Sequence, residues 1–198
     1  MLRCPAAHED SFLVLSTGEL VGRMVRSGIL GCPVCHREYP ITKGVVQFSD
    51  PGRPPPPPLA APPAPARGPR PDAQTLQALL DLSGPGGYVV LVGAAATHAA
   101  GLAELMGGIH FVGVDAPPDI VEQPVLSLVA GAPGIPLRSA MARSVVLGPD
   151  ARTTTWLAEA QRVLLRGRRL VVEDVAVTPP AGVTQLAAGQ GLWVGEKR

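Results

Sequence analysis

The sequence predicts an α/β protein composed of a small β-rich metal-binding unit, a proline-rich linker and a shortened sheet of alternating strands and helices. Three observations support this fold class. They are a C-x-x-C motif near the N-terminus, a proline-dominated run at residues 51–71, and a strand–turn–helix–strand pattern at residues 88–115. Such a pattern is typical of the first unit of a parallel α/β sheet. The predicted domains are therefore residues 1–50, 51–71 and 72–198.

Composition and charge limit the class of protein. The chain has 198 residues and a formal charge of +1, so it carries no global signal for nucleic-acid binding. It contains no run of about 18 uninterrupted apolar residues, which argues against a transmembrane helix. The first ten residues lack the apolar core of a signal peptide. We therefore expect a cytoplasmic protein without membrane contact.

The N-terminal unit is predicted to be a β-hairpin followed by a metal-binding turn. Residues 12–15 and 20–29 are rich in strand formers and flank a turn at Thr17 and Gly18. Cys32 and Cys35 follow, and their spacing lets both thiolates reach one tetrahedral ion. Three cysteines, two of them in a C-x-x-C, fit a metal site better than a disulfide framework.

A second pair of ligands must complete a four-coordinate site. Cys4 and His8 are the obvious candidates and would give a Cys3His zinc site, while His36 is a rival for the fourth position. A unit of about 50 residues buries too little surface to be robust alone, which favours a metal. The alternatives are a metal-free fold with buried thiols and a redox C-x-x-C. A redox pair is expected at the start of a helix, whereas Pro40 and its neighbours predict a strand.

A longer motif surrounds the C-x-x-C. Gly31-Cys32-Pro33-Val34-Cys35 is followed by Arg37-Glu38-Tyr39-Pro40-Ile41 and then by Gly44-Val45-Val46. This motif resembles the small zinc-ribbon family that activates tRNA and protein methyltransferases, and the resemblance covers residues 2–48. In that family a ligand stands at the position of Ala7, so His8 comes one residue late. The resemblance implies zinc as the metal.

The linker at residues 51–71 reads PGRPPPPPLAAPPAPARGPRP. This composition favours an extended polyproline II conformation with little tendency to pack. We interpret it as a semi-rigid spacer between the two units.

Strands and helices alternate along the C-terminal unit. Asp72 can cap a helix at residues 72–83, and strands at 88–92 and 111–114 flank a helix at 99–106. No helix is expected before the fourth strand or after the fifth. The remaining predicted elements are strands at 125–129, 144–147 and 170–177, a helix at 153–165, and a closing hairpin of 183–186 with 192–194.

Ligands of parallel α/β sheets lie at the carboxyl ends of the strands, so residues 93–98 and Asp115 should face one crevice. Residues 88–115 resemble the first two motifs of class I S-adenosylmethionine-dependent methyltransferases. Gly93 matches the first glycine of the family's binding loop, and Asp115 matches the residue that holds the ribose hydroxyls. Residues 160–172, AQRVLLRGRRLVV, are very like another signature of this family. The resemblance implies a Rossmann-like fold and S-adenosylmethionine as the ligand.

Four positions depart from the family pattern. Ala95 and Thr97 replace the second and third glycines, Leu91 replaces an acidic residue, and Ala132 replaces an aspartate that contacts adenine. Glycine serves where a backbone must approach a ligand closely, and a β-branched threonine resists positive φ. The candidate cofactor-binding set is therefore Gly93, Ala95, Thr97, Asp115 and Ala132, in a damaged loop.

The sequence leaves two functions open, and it identifies no catalytic residue. The departures favour a degenerate, non-catalytic methyltransferase-like protein that acts as a scaffold or partner subunit. The alternative is an active methyltransferase acting on RNA, protein or a small molecule, which needs mainly a bound cofactor and an oriented nucleophile. We expect a protein partner or a homo-oligomer, because missing helices expose apolar sheet surface. Nucleic-acid binding has no support from basic or aromatic residues.

Three polar residues of the C-terminal unit receive structural interpretations. Asp150 follows the fourth strand and is interpreted as a solvated loop carboxylate. His98 is interpreted as a polar residue at a helix N-terminus, and His110 as a structural residue at the start of a strand.

Overall fold

The computed structural model describes residues 2–49 and 70–198. Most of the predicted linker therefore lies outside the described residues. The strands are β1 (Val14–Thr17), β2 (Leu20–Val21), β3 (Met24–Val25), β4 (Ser27–Gly31), β5 (Glu38–Thr42), β6 (Val45–Gln47), β7 (Tyr88–Val92), β8 (His110–Val114), β9 (Leu126–Ala130), β10 (Ala142–Leu147), β11 (Leu164–Val172), β12 (Val183–Gly189) and β13 (Leu192–Lys197).

One sheet of eleven strands crosses the molecule in the order β1-β4-β5-β6-β9-β8-β7-β10-β11-β13-β12. The strands from β6 to β11 run parallel, while β13 lies antiparallel between β11 and β12. This large, mostly parallel sheet with a β-rich N-terminal region confirms the predicted α/β fold class.

The predicted N-terminal hairpin is wrong in its pairing. Strand β1 pairs with β4, with Val14 opposite Gly31 and Thr17 opposite Gly28. Between them, β2 and β3 form a separate small hairpin. Gly22 adopts a φ of +61° and makes this tight turn without steric cost, so the predicted second strand is divided in two.

The N-terminal and C-terminal units share one hydrogen-bonded sheet. Strand β6 pairs in parallel with β9, with Val46 opposite Val129. The first residues of the chain lie against the same face, since the Arg3 N–H donates to the Pro136 carbonyl over 3.0 Å. One hydrophobic core beneath this face includes buried residues of both units.

Helices cover the C-terminal part of the sheet on both faces. These are α1 (Ala73–Leu80), a 3₁₀ helix (Gly93–His98), α2 (Ala99–Leu105) and α3 (Thr154–Val163). Asp72 caps α1 as predicted, because its carboxylate accepts the Thr75 N–H over 2.7 Å. As expected, no helix forms in the described segments 131–141 and 173–182. The helices in the described parts of the chain are all too short to cross a membrane.

The junction of α3 and β11 differs from the prediction. The helix ends at Val163 rather than at residue 165, because Leu164 is extended with φ −69° and ψ 137°. Leu164 instead pairs with Ala142 of β10. Strand β11 therefore begins six residues earlier than predicted and ends at Val172, so that Glu173 and Asp174 follow it at the carboxyl edge of the sheet.

Candidate functional site

The structure brings the four predicted metal ligands together. Cys4 lies on the N-terminal segment, which is fixed where the Cys4 N–H donates to the Ser11 carbonyl over 3.1 Å. His8 lies in the intervening loop, and Cys32 and Cys35 lie in the turn that follows β4. One ligand atom from each of the four residues lies within 4.8 Å of the others.

The distances within this cluster suit a zinc ion. The Cys4 and Cys35 Sγ atoms are 3.7 Å apart, and Cys32 Sγ lies 3.4 Å from His8 Nε2. Tetrahedral zinc with metal–sulfur bonds of about 2.3 Å has sulfur–sulfur edges of about 3.8 Å. The donor set and its spacing therefore fit zinc and are compatible with a zinc ribbon.

The histidine of the cluster is oriented by the backbone. His8 Nδ1 donates to the Glu9 carbonyl over 2.6 Å, which leaves Nε2 to face the thiols. The same hydrogen bond raises the pKa of His8. The rival ligand His36 lies outside the cluster, because it adopts a φ of 57° in the turn and its N–H donates to the Cys32 carbonyl.

The surroundings favour the thiolate form of one cysteine. Burial raises the pKa of the Cys32 thiol, but hydrogen bonds from the Cys35 and Val34 N–H groups outweigh it and lower the pKa to about 6. A thiolate is the form that binds metals.

Sequence reasoning missed one residue of the metal site. The Tyr39 hydroxyl lies 3.1 Å from Cys4 Sγ, and its ring packs on Phe48 with centroids 4.8 Å apart. Burial and the neighbouring Cys4 raise the pKa of Tyr39, so the hydroxyl keeps its proton and can donate to a thiolate. The Tyr-Pro-Ile motif after the C-x-x-C was the available signal, but it does not reveal where the hydroxyl points.

The second candidate site is the carboxyl edge of the parallel strands. Gly93 follows β7 with a φ of +61° and begins the 3₁₀ helix. Ala95 and Ala132 are buried, whereas Thr97 is exposed and its hydroxyl donates to the Ala94 carbonyl over 2.8 Å.

Asp115 follows β8 at the same edge. Its Oδ1 accepts the Gly131 N–H over 2.7 Å. Burial raises the pKa of Asp115, the Gly131 hydrogen bond opposes this rise, and the negative charge of Asp150 adds to it. Asp150 thus acts on Asp115, one of the predicted elements of the cofactor site.

Asp150 is bound to the candidate cofactor loop. Both of its carboxylate oxygens lie 3.1 Å from the Ala94 N, so the carboxylate accepts this N–H. A Cβ added at Gly93 would lie 2.4 Å from Asp150 Oδ1, and one added at Gly148 would lie 2.8 Å from the Ala95 N. The interpretation of Asp150 as a solvated carboxylate is wrong, because the turn from Gly148 to Ala151 points it back onto the loop.

An ionic network around the buried Glu173 adjoins this loop and was not predicted. Glu173 is 4% exposed and accepts hydrogen bonds from Arg70 Nε and His98 Nε2, each over 3.2 Å. Arg70 also donates to the Ala94 carbonyl over 3.0 Å. His98 precedes α2 as predicted, but its side chain makes no capping bond. Burial raises the pKa of Glu173, yet the bonds from His98 and Arg70 outweigh it and leave the pKa below its ordinary value.

The remaining polar prediction concerned His110. It lies at the start of β8, and its Nε2 is 2.9 Å from the Ser127 hydroxyl of the neighbouring strand. This position agrees with a structural role.

Comparison with known proteins finds similarity in structure only. No family model matches the chain, and no curated protein matches it at a significant level. A SAM-dependent methyltransferase from Aquifex aeolicus is similar, with 16% identity, 64% of this chain and 88% of that chain covered, and a TM-score of 0.47.

Two further solved structures have similar folds. One is the complex of the Haloferax volcanii Trm112 methyltransferase activator with a protein described as a methyltransferase (19% identity, 50% of each chain, TM-score 0.41). The other is geranyl diphosphate methyltransferase with GPP and sinefungin (17% identity, 50% of this chain and 42% of that chain, TM-score 0.40). The chain spans about half the length of these two structures or less. The C-terminal unit itself has a mostly parallel α/β sheet with helices on both faces.

Proposed function

We propose that this chain is a non-catalytic methyltransferase-like scaffold protein. Its N-terminal ribbon holds one zinc ion through Cys4, His8, Cys32 and Cys35, and its sheet does not take up S-adenosylmethionine. One observation carries the proposal. The Asp150 carboxylate accepts the Ala94 N–H at the start of the loop where the resemblance implies a bound cofactor.

Close packing around Asp150 supports this function. The carboxylate oxygens lie so near Gly93 that even one added carbon would overlap them. A Cβ added at Gly148 would likewise lie too close to the Ala95 N, at 2.8 Å, so the turn after β10 packs directly on the loop. A ligand bound between β7 and β10 would have to displace both contacts and leave a backbone N–H to be paired anew, which costs free energy.

The ribbon is the second part of the proposed scaffold. Its zinc would supply folding free energy by joining the N-terminal segment to the turn after β4. Because β6 continues the sheet at β9, the ribbon is held to the methyltransferase-type unit through backbone hydrogen bonds. The proposed scaffold would bind a protein partner. The N-terminal unit supports such a role because it exposes the apolar side chains of Phe12, Val14, Leu15, Leu20, Val21, Ile29 and Val34.

An active methyltransferase is the second candidate function, and one observation favours it. Gly93 keeps a left-handed φ, and Asp115 stands at the carboxyl end of the next strand. In the resemblance, these two residues match the first glycine of the binding loop and the acidic residue that holds the ribose hydroxyls of S-adenosylmethionine.

Calorimetric titration of the full chain with S-adenosylmethionine and its demethylated product separates the two functions. For a scaffold we expect no heat of binding at about 1 mM ligand, with a folded protein and zinc present by elemental analysis. Micromolar binding that Asp115→Ala abolishes would overturn the scaffold and support the enzyme. Glu104→Ala, an exposed substitution in α2, is the matched control.

A further inference from the structure

A cavity of about 240 Å³ lies at the seam between the N-terminal unit and the parallel sheet. Strands of both units contribute to its wall, and Met24 and Val25 of the small hairpin close one side. Most of the lining is apolar. The apolar lining includes Leu30, Ile41 and Val46 of the N-terminal unit and Leu126, Leu128 and Val129 of β9.

Glu122, His110 and Ser127 of the cavity lining have polar or charged partners within the protein. Glu122 forms an ion pair with Arg26 from the other unit. His110 Nε2 contacts the Ser127 hydroxyl over 2.9 Å. Arg23 is exposed and therefore lies at the mouth rather than in the interior. An occupant therefore needs no charged group to pair with Glu122 or His110.

An apolar wall of this size favours an organic occupant over water. Apolar cavities stay dry because water finds no hydrogen-bond partners there, and a cavity of about 150 Å³ already accommodates benzene. Empty apolar volume also destabilises a fold in proportion to its size. Scaling by volume, the cavity accommodates about ten non-hydrogen atoms.

We propose that this cavity is a binding site for a small, neutral, apolar molecule of about that size. Met24 is the adaptable part of the wall, because methionine is unbranched and fits irregular shapes. The site involves His110 and Val112 in the first half of β8, away from the carboxyl edge where Gly93 and Asp115 lie. Binding here is independent of whether the sheet binds S-adenosylmethionine.

The test uses the full chain with indole and 1-octanol as neutral probes and octanoate as the charged counterpart of octanol. Saturation-transfer NMR is expected to show binding of both neutral probes with dissociation constants of about 1 mM or below. In an Arg23→Ala variant, which removes the guanidinium at the mouth, octanoate should bind about tenfold more weakly than octanol or worse, because its carboxylate would be desolvated without a partner. No binding of either neutral probe to the wild-type chain, or equal binding of octanoate and octanol to Arg23→Ala, would overturn the proposal.

Variants of the small hairpin locate the bound probe. Met24→Trp should fill the cavity and abolish binding, whereas Val21→Trp is the matched control on the paired strand, where Val21 is exposed and does not line the cavity. Nuclear Overhauser contacts from indole to the Met24 methyl group in the wild-type chain test the location without any substitution. Absence of these contacts, or unchanged binding in a folded Met24→Trp variant, would assign the probes elsewhere and overturn the site.

Discussion

At the scale of single residues, three carboxylates at the carboxyl edge of the sheet differ in how their negative charge is compensated. Glu173 is compensated by Arg70 and His98, and Asp150 accepts a backbone N–H. Asp115 accepts one backbone hydrogen bond, and within residues 2–49 and 70–198 no cationic side chain pairs with it. Its raised pKa shows that this single bond does not offset the cost of burying a charge. Residues kept at such a cost often belong to functional sites.

Asp115→Asn should therefore stabilise the chain at neutral pH. A carboxyl group whose pKa is raised by folding destabilises the protein above that pKa, and the penalty vanishes once pH falls below the ordinary value of about 4. Asparagine keeps an oxygen for the Gly131 N–H and removes the charge. Urea unfolding should show a more stable variant at pH 7, with the difference closing as the pH approaches about 4.

Asp119→Asn is the control for this experiment, because Asp119 is exposed on the following loop. It should leave unfolding unchanged at both pH values. A less stable Asp115→Asn variant at pH 7 would mean that the carboxylate has a favourable partner, and would contradict the cause assigned to its raised pKa.

At the scale of elements, the apolar parallel strands could be predicted, whereas pairings between distant segments could not. Strand β7 reads as an uninterrupted apolar run because both of its faces are covered, and its boundaries are as predicted. The pairing of β1 with β4 was missed because a small hairpin lies between them in sequence. The junction of β6 with β9 joins residues about 80 positions apart, a distance at which local pattern carries no information.

The two candidate sites differ in the same way. The four candidate metal ligands could be grouped from spacing, because Cys32 and Cys35 must share a turn and few other candidates were available. The Arg70–Glu173 contact could not be predicted from spacing, because the two residues are 103 positions apart and neither belongs to a local motif. The direction of Asp150 depends on the backbone of one turn, which residue types alone do not determine.

The turn after β10 yields a prediction of its own. Asp150→Ala leaves the Ala94 N–H without its acceptor in a tightly packed place, which should cost about 1 to 2 kcal/mol of unfolding free energy. Asp150→Asn keeps a side-chain oxygen and should cost less. Urea denaturation at pH 7 measures both variants.

The matched control for the turn is Asp119→Ala, in the exposed loop after β8, which should fall within about 0.5 kcal/mol of the wild type. Equal costs for Asp150→Ala and Asp119→Ala would show that Asp150 does not hold the loop. The proposed reason for the loss of cofactor binding would then fail with it.

At the scale of the whole molecule, the N-terminal ribbon and the C-terminal unit share a core and a sheet. Cys4, Cys32 and Tyr39 belong to the same hydrophobic cluster as Val129 of β9 and Trp156 of α3. A metal bound at one end of this cluster is therefore connected to the parallel sheet through packed side chains and through the β6–β9 ladder. We therefore expect loss of the metal to destabilise structure beyond the ribbon.

Removing zinc with a chelator should consequently expose the edge of the parallel sheet at β9. The ribbon depends on its four ligands, so its strands should open without the metal, and the β9 amides that face β6 would lose their partners. Hydrogen exchange of the full chain should show about tenfold or more faster exchange in β9 after chelation. Strand β12, at the opposite edge, is the internal control and should exchange as before, because it pairs only with β13.

One outcome would contradict this prediction. Faster exchange confined to residues 2–49, with β9 unchanged, would mean that β6 stays in the sheet without metal. The ribbon would then be a separately folding attachment rather than a support for the sheet. Cys32→Ser distinguishes loss of the metal from any other effect of the chelator, since it should reproduce the β9 exchange in untreated protein.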